Sequence, residues 1–243
     1  MPAMIGWVHF SDTIENQTAL LQRELPNFNQ IQFTPGTDNA YSNLGYIVLG
    51  AIVEAVTGDH YETYITTQIL QPLGMTNTAF VYTPEMDQHE AIGSHPLVNI
   101  YTPILPFFVD MTTLVREREG TRYWFNRLYI DATPPSGLIG SAVDAAKLLS
   151  ALAEDDVLLS SDSLALMRSS DSVRPLGWAE FDETKHTWVQ HRGGGPGFAT
   201  IMRLYPKQKL GIVIMANGTN LKGESLVALI AELKDFHPAG QSL

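Results

Sequence analysis

Two short stretches carry residue types that could do chemistry: Tyr41-Ser42-Asn43 and His191-Arg192-Gly193. A tyrosine phenol serves as a general base only where something lowers its pKa from about 10. Asn43 can donate its amide to a substrate carbonyl, or it can cap the helix that follows it. His191 is placed at the end of an expected strand, ahead of Gly193, Gly194 and Gly195. Glycines at that point let the backbone lie against a substrate, although a bend with a solvated histidine uses them equally well.

Other chemistries lack their residues. His9, His60, His89, His95, His186 and His237 show no His-x-x-x-His spacing, so no zinc site of that kind is suggested. The chain has no cysteine, which removes disulfides, thiolate ligands and thiol nucleophiles. A Gly-x-Ser-x-Gly elbow is absent too. Thr219 and Lys222 have Thr-x-x-Lys spacing but follow the last expected strand, and read as the start of a helix. The glycines at 193 to 195 open onto a strand rather than a helix, so they are no phosphate loop.

The flanks of the two triplets are more specific. Phe33-Thr-Pro-Gly leads to Tyr41-Ser-Asn-Leu-Gly-Tyr46; Gln71-Pro-Leu-Gly-Met-Thr-Asn-Thr78 follows, and His191-Arg-Gly-Gly-Gly-Pro-Gly-Phe198 comes later. In that order these segments resemble the serine β-lactamase and penicillin-binding-protein superfamily, in the branch of class C β-lactamase-related hydrolases with esterase and D-aminopeptidase relatives. The resemblance runs from about Phe33 to Asn217. It implies a serine acyl-enzyme mechanism with no cofactor and no metal, acting on a small molecule: a β-lactam, an ester or a D-amino-acid peptide. It implies that Tyr41 relays a proton, that Asn43, His191 and Gly193 bind substrate, and that the Gly194 N–H is one oxyanion-hole donor. Arg192 stands where relatives often have threonine, and its charge leaves substrate preference open.

The family's nucleophile lies on a Ser-x-x-Lys helix before the Tyr-x-Asn motif, with its lysine lowering the tyrosine pKa. No serine of this chain has a lysine three residues later. Met1-Pro2 resembles the end of a His-Thr-Ser-Gly-x-Pro segment that commonly precedes this region in the family. The expectation is an N-terminally truncated member, inactive as this chain, or a pseudoenzyme that binds ligand without turnover. An in-frame Ser-x-x-Lys upstream of Met1 distinguishes the first from the second.

Composition sets the frame for these motifs. With 243 residues, 44% hydrophobic and 17% charged, the chain is globular rather than disordered. A net charge of -11 disfavours nucleic acid and anionic membrane as partners. The apolar runs at 46–53 and 210–216 are too short to span a bilayer, and no signal peptide is visible at Met1. The compartment stays open.

The elements that must position the motifs follow from periodicity. Leu44, Ile47, Val48, Ala51, Ile52 and Ala55 predict a helix with one buried face, ended by Gly58. Asp59 with Glu62 predicts a capped second helix, which Pro72 terminates; Ser141 with Asp144 predicts another, carrying Ala145, Leu148, Leu149 and Leu152. Residues 83–135 read as an irregular, proline-rich excursion with one short helix near 111–118. Its aromatics Phe107, Phe108, Tyr123, Trp124, Phe125 and Tyr129 could line a pocket or pack the excursion onto the body. Strands are expected at 176–181, 186–191, 198–205 and 210–216, with a turn at Pro206-Lys207-Gln208. A closing helix carries Leu226, Leu229, Ile230, Leu233 and Phe236.

The expected fold class is α+β: an antiparallel β-sheet flanked by helices, with a helical subdomain, β-lactamase/transpeptidase-like and N-terminally incomplete. Residues 1–243 are expected to form one β-lactamase-related domain, with 36–160 mostly helical or irregular and 176–243 holding the strands and the last helix. The family's N-terminal helix and first two strands have no counterpart before Leu176, which leaves a sheet edge to be explained.

Overall fold

The computed structural model describes residues 7–28, 30–38, 40–99, 102–107, 110–154, 156–168, 176–178, 180–182 and 188–219, together with 223, 226, 227 and 230. In chain order the first half holds β1 (Val8–His9), α1 (Gln17–Glu24), α2 (Asn43–Thr57), α3 (Tyr61–Ile65), β2 (Thr78–Ala79), α4 (Pro84–Asp87) and β3 (Ser94–Pro96). Next come α5 (Met111–Leu114), β4 (Val115–Glu119), β5 (Arg122–Phe125), β6 (Tyr129–Ile130), α6 (Thr133–Ser136) and β7 (Ile139–Gly140). The second half holds α7 (Ala142–Ala151), α8 (Ser161–Arg168), β8 (Glu180–Asp182), β9 (Trp188–Gly195), β10 (Phe198–Tyr205) and β11 (Leu210–Ala216).

The main sheet has the order β11-β10-β9-β8, antiparallel throughout. Its two faces are both covered. Ile201, Tyr205 and Ile212 pack with Val227 on one face; Val189 and Leu204 pack with Leu149 of α7 and with Trp178 on the other. The chain is therefore α+β with helices on an antiparallel sheet, as expected. Residues 223, 226, 227 and 230 are helical, while Leu229, Leu233 and Phe236 of the expected closing helix lie outside the described residues. So do Met1 and Pro2, His186, Phe108 and Lys222.

Helix α2 forms where predicted and ends at Gly58, whose φ of 78° provides a left-handed cap. Its buried face differs from the one predicted: Ile47, Gly50, Ala51 and Glu54 are inside, while Ile52 is 51% exposed. The reason is Glu54. Its carboxylate accepts from the Gln17 N–H, from the N–H and hydroxyl of Thr18, and from the Tyr61 N–H. Two of those amides belong to the first turn of α1, which otherwise has no internal acceptor for them. Drawing Glu54 inward turns α2 about its axis. Burial opposes ionisation of this carboxyl, but the hydrogen bonds from Thr18, Tyr61 and Gln17 outweigh it and hold the pKa below the usual range.

Two further predictions are corrected. Asp59 does not cap α3; His60 is the cap residue and makes no side-chain cap bond, and Glu62 instead accepts from Gln17 and Thr133. The excursion at 83–135 also contains more order than one short helix. Met111–Leu114 is helical, but 115–119 turn into β4, which pairs with β5 and, through it, with β3. The Arg-Glu-Arg-Glu alternation of β4 has no apolar face, so hydrophobic periodicity could not find it. Phe125 and Tyr129 are buried and serve packing, whereas Phe107 is exposed.

Ser141 caps α7 as predicted, its Oγ accepting from the Asp144 N–H at 3.1 Å. Asp144 does more than complete the cap pattern. It is fully buried and accepts from the Asn77 N–H, the Thr78 hydroxyl and Lys147 Nζ. One carboxylate thus fastens the 77–78 segment to α7, and through α7 to the sheet.

Candidate functional site

Tyr41 lies just ahead of α2 and is 72% exposed. Ser42, not Asn43, is the N-cap: its backbone is extended and its Oγ accepts from the Gly45 N–H at 3.1 Å. Asn43 is released from capping and is the first helical residue. The Tyr41 hydroxyl donates to Asn43 Oδ1 at 2.7 Å. An amide held by its oxygen presents its NH2 group as the remaining donor. The local chain therefore orients both side chains together.

The Tyr41 pKa moves the wrong way for a base. Its partial burial, then the neighbouring Tyr46, push it above its ordinary value. Nothing among these groups supplies the positive charge that would bring it down.

His191 is not at a strand end. It sits in the middle of β9, which continues in register through Gly193 and Gly194 to Gly195. Side chains alternate along a strand. Val189 packs against Leu149 and Trp178, while Trp188 packs against the opposite cluster of Ile201, Tyr205 and Ile212. His191 and Gly193 therefore share the α7 face of the sheet, and Arg192 belongs to the other face. The charge of Arg192 is thus carried on the face away from His191. Burial lowers the His191 pKa, which favours the neutral imidazole.

Gly193 is required by contact. A Cβ there would come within 2.3 Å of the Thr200 hydroxyl on β10. At Gly194 a Cβ would meet nothing within 4 Å, so that position leaves its backbone open on the α7-distal side of the ladder. The structure thus brings Tyr41 and Asn43 into direct contact, and sets His191, Gly193 and Gly194 on one strand.

Two other clusters could be mistaken for sites. Glu54, His60 and Glu62 offer ligand atoms within 4.8 Å of one another. Glu54 already accepts four hydrogen bonds, two on each oxygen, so a cation would have to displace the amides of α1. This cluster is a tether. A groove between α7 and the β10–β11 hairpin, lined by Ala146, Leu149, Leu204 and Lys209, includes none of the five candidate residues.

Sequence reasoning missed the residues that hold the turn after the glycines. Ser94 reaches it through its backbone N–H and Arg122 only by way of Ser94, and such contacts leave no pattern of residue types to read. No described helix is long and apolar enough to cross a membrane.

The sequence profile of the Beta-lactamase family matches residues 18–234. Protein flp of Staphylococcus aureus (strain N315) is 28% identical over 215 residues, covering 84% of this chain and 38% of the relative. Penicillin-binding protein 4* of Bacillus subtilis (strain 168) is 28% identical over 197 residues, 76% of this chain and 41% of the relative. The chain thus spans less than half the length of these curated relatives. Among solved structures, D-amino acid amidase from Ochrobactrum anthropi SV3 complexed with D-phenylalanine superposes with a TM-score of 0.70 at 20% identity, covering 97% of this chain and 68% of that one. The octameric penicillin-binding protein homologue from Pyrococcus abyssi gives 0.67 at 22% identity, with 89% and 48% covered. Matched over most of its length by the family profile, and folded as an antiparallel sheet under helices, the chain belongs to the Beta-lactamase family.

Proposed function

We propose that the chain, acting as one domain, carries the Tyr-x-Asn and His-x-Gly walls of a serine-hydrolase acyl-transfer site. Tyr41, Asn43, His191, Gly193 and Gly194 line one cleft in this reading. Asn43 and Gly193 orient the acyl group, and the Gly194 N–H stabilises the developing oxyanion. The observation that carries it is the exposed Tyr41–Asn43 pair, bonded to each other and relieved of capping by Ser42. The substrate class is a β-lactam, an ester or a D-amino-acid amide; the amidase neighbour complexed with D-phenylalanine favours the last.

The 243-residue chain binds such ligands without turning them over. This second element rests on the absence of any Ser-x-x-Lys and on the raised pKa of Tyr41. Removing the nucleophile from a serine protease costs about a millionfold in kcat, and binding with oxyanion contacts leaves about 10³–10⁴ over water. Purified chain should therefore show no saturable hydrolysis of nitrocefin, p-nitrophenyl acetate or D-phenylalanine amide. D-Phenylalanine amide should shift the NMR signals of Asn43 and of Gly193 and Gly194 in one titration. Saturable turnover that Tyr41→Phe abolishes would sink the inactive reading, and a ligand that perturbs only one of the two walls would sink the shared cleft. Fusing a Ser-x-x-Lys-bearing N-terminal segment should restore ester hydrolysis, with Tyr41→Phe then removing most of it.

A further inference from the structure

The turn after the β9 glycines is held from outside the main sheet, by a strand of the small sheet. Ser94 opens β3 and is 2% exposed. Its N–H is shared between the carbonyls of Gly197, in the β9–β10 turn, and Asn217, just past β11, each at 3.0 Å. Its hydroxyl donates to the same Asn217 carbonyl at 2.6 Å. Its own carbonyl accepts from the Thr219 N–H, and Ser94 forms a parallel bridge with Gly218. One residue therefore ties the β9–β10 turn to the chain leaving β11, at one end of the main sheet.

Arg122 on β5 fixes Ser94 in this position. Its Nε donates to Ser94 Oγ at 2.9 Å and its Nη2 to the Ser94 carbonyl at 3.2 Å. Because the Ser94 hydroxyl proton goes to Asn217, its oxygen is left to accept from Arg122, and the three groups form a directed chain. The guanidinium also leaves no room at Gly218, where a Cβ would lie 2.8 Å from Nη2.

The contact demands glycine on both sides. Gly197 has a φ of +82°, and a Cβ there would come within 2.6 Å of the Gly93 backbone. A Cβ on Gly93 would in turn reach the Phe198 ring at 2.6 Å. The two backbones touch with nothing between them, so any shift of Ser94 is passed directly to the turn.

We infer that Ser94 and Arg122 are positioning residues for the candidate oxyanion strand: they clamp the Gly195–Phe198 turn and so set the placement of the Gly193 and Gly194 backbone. The inference rests on the site assigned under the proposed function. Neither side chain touches a reacting atom or the turn; both act by holding the Ser94 backbone, whose N–H reaches the Gly197 carbonyl.

The test uses the full 243-residue chain with Ser94→Ala and Arg122→Ala, and Ser94→Thr and Arg122→Lys as conservative rescues. Hydrogen exchange of residues 193–198 is followed beside that of α2, and D-phenylalanine amide affinity is measured by NMR titration. The alanine variants should speed exchange at 193–198 by about tenfold or more while leaving α2 at its wild-type rate. They should also weaken the amide about tenfold, and the rescues should recover both readouts. Unchanged exchange at 193–198 overturns the clamp. A rise that includes α2 overturns it too, since that marks general destabilisation, and a local rise with unaltered affinity overturns the positioning role. Failure of the wild-type chain to bind the amide removes the site itself, while the exchange measurement still decides whether Ser94 and Arg122 hold the turn.

Discussion

At the scale of single residues, the imidazole at 95 shows how much the surroundings dictate. His95 is buried against Phe125, with Nε2 at 3.1 Å from the Thr102 hydroxyl and Nδ1 at 2.9 Å from that of Thr219. Thr102 gives its proton to the Pro96 carbonyl, so it accepts from Nε2–H, and Nδ1 must then accept from Thr219. Burial, then the nearby Arg122, lower the His95 pKa. The unfolded chain consequently binds more protons at this position than the folded one, and stability present above about pH 6.5 declines as pH falls. His191 shifts in the same direction and adds to the decline. Urea midpoints should drop between pH 7.5 and 5.5, and His95→Gln should flatten that drop; an equal drop in the variant would remove His95 as a contributor. None of this was legible beforehand. Tyr41, Asn43 and His191 could be located because their flanks run along the chain, whereas the partners of His95 come together only after folding.

At the scale of elements, α2 and its neighbours show what periodicity can and cannot supply. The extent of α2 and its Gly58 cap follow from local rules, and so does the Ser141 cap of α7. Its orientation does not, because the inward direction is set by Glu54, whose partners lie 36 and 37 residues away in α1. Replacing Glu54 with glutamine puts an NH2 group against backbone N–H donors. The cost should be about 1–3 kcal/mol, the usual penalty for stranding buried polar groups. Chemical denaturation of Glu54→Gln checks the magnitude, and faster exchange of the α1 amides checks the place. A wild-type midpoint would show that water replaces the carboxylate at no cost. Strand β4 escaped sequence reading for the opposite reason: a polar strand carries no buried face to announce it.

At the scale of the whole molecule, exposed apolar surface stands out. Leu49, Ile52 and Val56 form a row along the outer side of α2, with Val56 79% exposed. Among the described residues, β11 is paired on one side only, and its seven residues Leu210–Ala216 carry no charge. These two features predict association: the eluted mass should exceed the 26.8 kDa of one chain at micromolar concentration. Ile52→Glu with Val56→Lys should lower it. A monomer with a radius of gyration near ~18 Å, the value for a compact chain of this length, would count against this.

The alternation along β9 has an evolutionary corollary. His191 and Arg192 are neighbours in sequence but belong to opposite faces of the sheet. Because the side-chain period of a strand is two, deleting one codon just before His191 would exchange their faces without substituting either residue. The α7 face would then carry a permanent guanidinium cation where it now carries a neutral ring. A single frame-preserving indel would in this way recharge that face of the sheet, a change that no list of substitutions would reveal.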